Sequence, residues 1–502
     1  MRPLLLDFTA ALLLAGSLGG CAVGPDNAKP DMALPARWAQ APADARAPSS
    51  AASLDSWWRA FKDPLLDELM AEAVAGNTDV ASAKAKIREA RAARREAEAG
   101  LGPSVTGSGS ASESKSGQGG GGTAATTVAS SSSDPSWSFQ AGLDASWELD
   151  LFGGKRRDAE AAVYGEQAAE EDLRSALLTL VGDVGAYYAE ARGYQARVAL
   201  ARRTLASQLR TADLTRVKFD AGAASAADAA KADAQAATTA ADIPSYEAGY
   251  VESVHRLSVL TGRAPGALYD RMQTPRAIPA PRRALPAGVP ADLLTRRPDV
   301  RAAERRVAQA TAKIGSAEAA LYPDVSLTGS LSTAASRPGD LLRASSVSWS
   351  WGPSVSIPIF DGGKLAAERD ATQAQRDEYL VAWRSSVLTA MEDVENALLA
   401  LSQERLRAKQ LGSAVDNDRK AADLTRTQYE AGKSSLLDVL DAERSLYSAE
   451  DSLIQSRVSL AKDYVALAKA LGGGWNAPVD ASRPEVADEA MGPRLRSQPA
   501  AP

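Results

Sequence analysis

The chain is written twice, and that constrains its fold more than any other feature. Asn77-Thr78-Asp79-Val80 matches Arg297-Pro298-Asp299-Val300, and GLGPSVTGSGS from Gly100 matches ALYPDVSLTGS from Ala320, both at a spacing of about 220 residues. The register then shifts: LFGGK at Leu151 matches IFDGGK at Ile359, FDAG at Phe219 matches YEAG at Tyr429, and LTG at Leu260 matches ALG at Ala470, all at about 210. The surplus of roughly ten residues falls in SASESKSGQGGGGTAATTVASSSS, which is too rich in Gly and Ser to pack a core and reads as a long mobile loop. Each copy thus predicts helix, strand, loop, strand and two long helices. The first copy spans 63–265 and the second 292–475. They are joined by a proline-rich connector at 266–291 and followed by a tail at 476–502 that reads as disordered.

The segments flanking the loop alternate. Trp137, Phe139, Ala141, Leu143, Ala145, Trp147, Leu149 and Leu151 are separated one by one by polar or small residues from Ser138 to Asp150, a period of two that gives a strand one greasy and one wet face. In the second copy Val347, Trp349, Trp351, Val355, Ile357 and Ile359 oppose a row of serines. Before the loops, Val325, Leu327 and Leu331 alternate with Asp324, Ser326, Thr328 and Ser330, whereas Ser104 to Ala111 repeats the pattern weakly. Trp137 and Phe139 near one end and Trp147 near the other, with Trp349 and Trp351 on the sister strand, form a candidate aromatic girdle. Their spacing of about ten residues, at ~3.3 Å each and with a steep tilt, matches a bilayer core. A soluble sheet with one buried face alternates too, but a polar face that runs the full length favours the membrane.

A sheet in lipid can have no free edge, because an unpaired N–H or C=O in hydrocarbon costs several kcal/mol. Four strands cannot close on themselves, so copies must join. Two copies would give a barrel whose lumen is filled by side chains, while a homotrimer gives twelve strands and leaves a conduit.

The helices carry the other half of the argument. No proline interrupts Gly154 to Val217. There Leu173, Leu180, Tyr187, Tyr194 and Ala201 interleave with Leu177, Val184, Ala191, Val198 and Leu205 in a seven-residue repeat, which is a coiled-coil seam. At about 1.5 Å per residue such a helix reaches ~95 Å. Val439, Leu446, Leu453, Leu460 and Leu467 repeat the seam near the C-terminus, with small Ala442, Ala449 and Ser456 beside them. Only 5% of residues are aromatic, which suits helices packed closely side by side.

Several functions are excluded. The net charge of -6 with no sustained Lys/Arg run offers nothing to nucleic acid. One cysteine, Cys21, and one histidine, His255, cannot build a disulfide framework or a Cys/His metal cage within one chain. No nucleophile, base and orienter set and no phosphate-cradling glycine loop is present, so no enzyme, cofactor or metal site is implied. At the start, Arg2 precedes an apolar run from Leu4 to Leu18, too short to span a bilayer stably but suited to a signal peptide over 1–20. Asp7 departs from that pattern. Leu18-Gly19-Gly20-Cys21 resembles the bacterial lipobox, so Cys21 is the expected lipidation site, with 21–62 as a lipid-anchored N-terminal segment; Ala22, where an Asp would retain the protein, implies the outer membrane. An ordinary signal peptide with a chance cysteine is the alternative.

CAVGPD after the lipobox, SWWRAFKDPLLDEL, LPAGVPADLLTRRPDVRAAE and QYEAGKSSLLDVLDAERSLYSAE make the chain resemble the TolC-like outer membrane factors. Within them it resembles the NodT-type lipoproteins of drug and metal efflux, from Cys21 to about Trp475. The resemblance implies a mainly α fold with a membrane β-barrel: four β-strands and long coiled-coil helices per protomer. A homotrimer would form a twelve-stranded barrel, an α-helical tunnel across the periplasm and an iris of helices at its inner end. It places the turns Phe219-Asp220-Ala221-Gly222 and Tyr429-Glu430-Ala431-Gly432 at the inner tip, where a periplasmic adaptor docks. Each turn has a Gly suited to the left-handed conformation. It also implies a channel constriction in LLDVLDA, where Asp438 and Asp441 lie three apart on one helix face and three chains would ring the axis with carboxylates that attract cations. Without the resemblance, the pair reads equally as an acidic first turn favoured by the helix dipole after Ser434 and Ser435. Ser434 stands where the family's best-known member has an Arg that locks the closed iris.

The implied function is the outer-membrane channel-tunnel of a tripartite efflux system, a passive exit duct for drugs, metals or other small molecules. Its partners would be a periplasmic adaptor, an inner-membrane pump and outer-membrane lipid. The alternatives are the duct of a type I protein secretion system, which shares the architecture, and a periplasmic adaptor lipoprotein, which lacks girdled strands and a second copy.

Overall fold

The computed structural model describes residues 22–40, 52–115, 135–281, 285, 288–476 and 479–482. The leader, Cys21, most of the Gly/Ser-rich run and the tail beyond 482 lie outside the described residues. After a helical turn at Trp57–Phe61, the first copy forms α1 (Pro64–Gly76), α2 (Thr78–Ala99), β1 (Ser104–Ser114), β2 (Ser136–Leu149), α3 (Gly154–Asp220) and α4 (Ala226–Leu260). The second copy forms α5 (Pro298–Ala319), β3 (Asp324–Ala335), β4 (Val347–Ser356), α6 (Lys364–Glu430) and α7 (Leu436–Ala470). The duplication reaches element lengths: α2 and α5 both have 22 residues, α3 and α6 both 67, and α4 and α7 both 35. At about 1.5 Å per residue α3 and α6 each extend roughly 100 Å. Among the described residues no helix is long and apolar enough to cross a membrane.

The chain divides into two compact units, each of which takes segments from both copies. One comprises Met1–Pro30, Ala90–Glu166 and Arg305–Val381, the other Asp31–Glu89, Gln167–Glu304 and Ala382–Pro502.

In the first unit the four strands make one antiparallel sheet in the order β1-β2-β3-β4. The register pairs odd residues with odd: Leu143 lies between Gly107 and Leu331, and Leu331 between Leu143 and Trp349. With a side-chain period of two, this gathers Val105, Leu143, Trp147, Leu327, Leu331 and Trp349 on one exposed face and the serines on the other. There Ser330 and Ser350 share a hydrogen bond of 2.8 Å, and Ser332 and Ser348 one of 2.9 Å. The strands stop short of the alternation, leaving Leu151, Ile357 and Ile359 beyond their ends. The physical reason is helix capping. The Asp150 carboxylate accepts from the backbone N–H of Lys155 and Arg156 at 3.1 and 2.9 Å, and Asp361 from Gly363 and Leu365 at 2.8 and 2.7 Å, which starts α3 and α6.

In the second unit, Trp57 is buried edge-on among Trp58, Phe61 and Tyr464, at centroid distances of 5.8, 6.1 and 6.4 Å. Leu66, Leu69 and Met70 of α1 are buried in the same unit. Along α3 the expected seam is buried at Leu173, Leu177, Leu180, Val184, Ala191 and Ala201, whereas Tyr187 and Tyr194 are half-buried and Tyr188 and Arg192 are buried beside them. A straight helix of 3.6 residues per turn drifts against a strict seven-residue repeat, which here widens the inner stripe by one residue. Arg192 is fully buried and donates to the carbonyls of Met272 and Thr274 at 3.2 and 2.9 Å, tying the connector to α3.

Candidate functional site

The two helix-to-helix turns lie in the second unit and share one geometry. Gly222 and Gly432 both have φ +71°. Gly222 N–H donates to Phe219 O at 2.9 Å and Ala223 N–H to Lys218 O at 2.7 Å; Gly432 and Lys433 repeat this on Tyr429 O and Gln428 O at 3.0 and 2.7 Å. This is the Schellman closure, whose left-handed residue must forgo a Cβ to avoid strain. The returning helices begin on a matching device. Ser225 Oγ accepts from Asp228 N–H at 3.1 Å while the Asp228 carboxylate accepts from Ser225 N–H and Oγ at 3.1 and 2.7 Å. Ser435 and Asp438 form the same capping box at 3.2, 3.0 and 2.7 Å.

Asp438 therefore caps α7 and also accepts from Ser434 Oγ at 3.0 Å. The Ser435 hydroxyl first, then its backbone N–H and the Ser434 hydroxyl, hold the Asp438 carboxyl below the usual carboxylate range. Ser225 does the same to Asp228 through its hydroxyl and its backbone N–H. Asp441 is exposed and pairs with Arg444 at 3.0 Å. Because both capping pKa values are lowered, their stabilisation is present above the ordinary carboxylate value of about 4 and is lost only as pH falls through the lower, folded values. Amide exchange in the first turns of α4 and α7, corrected for intrinsic rate, is expected to stay flat down to about pH 4 and to rise below it. A rise between pH 7 and 5 would contradict the capping role.

Behind the turns, Ala212, Ala232, Tyr429, Leu436, Val439 and Leu440 form one buried cluster drawn from all four long helices. The two turn aromatics differ, since Tyr429 enters this cluster while Phe219 stays exposed. Tyr429 shares a 3.1 Å hydrogen bond with Thr215, and Lys218 donates to the Tyr429 carbonyl at 2.6 Å with its ammonium 3.7 Å from the ring centroid. Glu443, only 4% exposed, accepts from Arg426 at 2.5 Å and from Thr211 at 3.3 Å, and Arg426 also donates to Ser207 at 2.6 Å. Sequence reasoning found Tyr429 but missed Lys218, Thr215, Arg426 and Glu443. A signal was available: Glu443 falls four residues after Val439 on the inward stripe of α7, where an acid demands a partner.

On the sheet, Trp137 stacks on Phe139 at 5.7 Å, and Trp147 donates its indole N–H to Leu101 O at 3.0 Å. Trp349 and Trp351 are 71% and 73% exposed, and register sets them level with Leu143 and Ala145, inside β2 rather than at its end. Register measures position along strands; where strands tilt by about 35–45° it is not a depth.

A family model described as outer membrane efflux protein matches residues 69–263 and again 289–473, one match per copy. Nodulation protein T of Rhizobium leguminosarum bv. trifolii is 36% identical over 459 residues, which cover 91% of this chain and 96% of that protein. The pyoverdine export outer membrane protein OpmQ of Pseudomonas aeruginosa is 32% identical over 476 residues, covering 94% and 97%. Among solved structures, the outer-membrane channel OprN superposes with a TM-score of 0.81 at 37% identity, covering 91% of this chain and 100% of that one. With the duplicated plan, the amphipathic four-stranded sheet and a match to each copy in agreement, the chain belongs to the outer membrane efflux protein family.

Proposed function

We propose that this outer-membrane efflux channel works as a lipid-anchored homotrimer, a passive exit duct for drugs, metals or other small molecules delivered by an inner-membrane pump through a periplasmic adaptor. The sheet carries this reading. Its exposed apolar face crosses all four strands, while β1 and β4 are both edges, and in hydrocarbon those edges must pair with sibling copies. Three copies supply the twelve strands that leave a conduit. An acylated Cys21 adds the anchor in outer-membrane lipid. The Phe219–Gly222 and Tyr429–Gly432 turns are the adaptor-docking tips, and Asp438 and Asp441 the constriction. Because Asp441 already pairs with Arg444, most of the ring's field comes from Asp438. Relatives named for pyoverdine export and for toluene efflux share the plan, which fits a wide duct whose cargo is chosen by the pump.

Changing Asp438 and Asp441 together to Asn is expected to lower cation selectivity in planar bilayers, with Asp438→Asn alone giving most of the effect. Unchanged selectivity rejects the ring. Purified full-length protein that is stably monomeric in mild detergent and passes no pore current rejects the duct itself.

A further inference from the structure

The segment that follows Cys21 is bound to the protein along its first five residues. In the first unit, Val23 N–H donates to Phe152 O at 3.0 Å, just beyond the end of β2. Arg157, 6% exposed, donates Nε to Val23 O at 3.3 Å and Nη2 to Gly24 O at 3.3 Å and to Asp26 Oδ1 at 2.7 Å, while its Nη1 reaches Glu160 at 2.8 Å. The buried guanidinium is thus matched by two carbonyls and two carboxylates, and three of its four partners belong to the N-terminal segment. Three glycines from three stretches of chain make the contact close. A Cβ on Gly24, at φ +87°, would lie 2.4 Å from Gly315 Cα; one on Gly153, at φ +84°, would lie 2.8 Å from Ala22 Cα; one on Gly315 would lie 2.8 Å from Arg157 Cγ. Ordinary carbon contacts are about 3.5–4.0 Å, so none of the three positions admits a side chain without displacing its neighbour.

We infer that Ala22–Asp26 is a docked plug that seats the lipid anchor at a fixed place, where the apolar face of β2 ends and α3 begins, rather than a flexible leash. Its partner is the acyl-chain region of the leaflet at that end of the sheet. One peptide link of about 3.8 Å separates Ala22 from Cys21, so acyl chains on Cys21 start beside the seat and share the depth of the sheet's greasy face. The membrane partner rests on the lipidation proposed above; the seat does not.

Hydrogen exchange of residues 22–28 in the full lipoprotein, held in lipid nanodiscs, tests it. Val23 is expected to exchange well below the free-chain rate. Gly24→Val, a change in the plug alone, is expected to speed exchange across 22–26 by at least about tenfold while β2 and β3 stay protected. Arg157→Gln should act in the same direction. Free-chain exchange in the unaltered protein, or no change in Gly24→Val, overturns the seat. The mass of the N-terminal peptide reads lipidation separately. Protected residues without an acyl mass would overturn the membrane partner and spare the seat; an acyl mass on an unprotected segment would overturn the seat and spare the anchor.

Discussion

An arginine at Leu331 is expected to keep the protein out of the membrane, and an arginine one residue earlier, at Ser330, to be tolerated. Leu331 sits in the middle of the apolar face, between Leu143 and Trp349, and is 48% exposed. Ser330 lies on the other face, where its hydroxyl shares a hydrogen bond with Ser350. A charge facing lipid near the bilayer midplane costs about 2–4 kcal/mol, and every copy in a closed barrel would bear it. On the wet face the same side chain meets water. The assay is recovery of full-length trimer in the outer-membrane fraction together with pore current. Equal recovery of the two variants would mean that this sheet does not face lipid, and the membrane assignment of all four strands would go with it.

The second large effect is expected behind the two helix-to-helix turns. Removing Arg426 leaves Glu443 buried, with Thr211 as its remaining bonded partner and Oε2 already without one. Breaking a buried pair from one side costs roughly 3–5 kcal/mol; because Arg426 is itself a third exposed, Arg426→Ala is expected near the lower end. Faster amide exchange in α3 around Ser207–Thr215 and in the first turns of α7 should report it. Replacing both partners with leucine is expected to restore most of the protection, since no charge is then stranded. If Arg426→Ala exchanges like the unaltered protein, the pair is solvated and does not hold the two hairpins together.

What could be read in the residues, and what could not, divides along the range of the interaction. The turns were legible because the glycine at each helix end acts within a few residues of itself. The serine three places before an aspartate is as local a signal for the cap, but sequence reasoning at Asp438 stops at an acidic first turn. The greasy faces of β2 to β4 were legible from their period. Yet β1, where Val105 is followed by glycines and serines, is paired with β2 over its whole length, because its partner supplies the order that its own pattern lacks. The ends of β2 and β4 were set too far out, since Leu151 and Ile359 continue the alternation while Asp150 and Asp361 have already claimed the backbone for a helix. Lys218 with Tyr429, 211 residues apart, was invisible for another reason: a heptad pattern says which face turns inward, not which helix it meets.

The serine-covered face has a consequence for whatever slides past it. A hydroxyl both gives and takes a hydrogen bond, so a solute leaving one serine finds an equivalent handshake at the next and gains nothing by lingering. Pairs such as Ser332 with Ser348 are already content with one another. Gln140, Asp144, Glu148 and Asp324 interrupt the hydroxyls on that face, so a neutral solute meets much the same surface from step to step, whereas a cation is held longest beside the carboxylates.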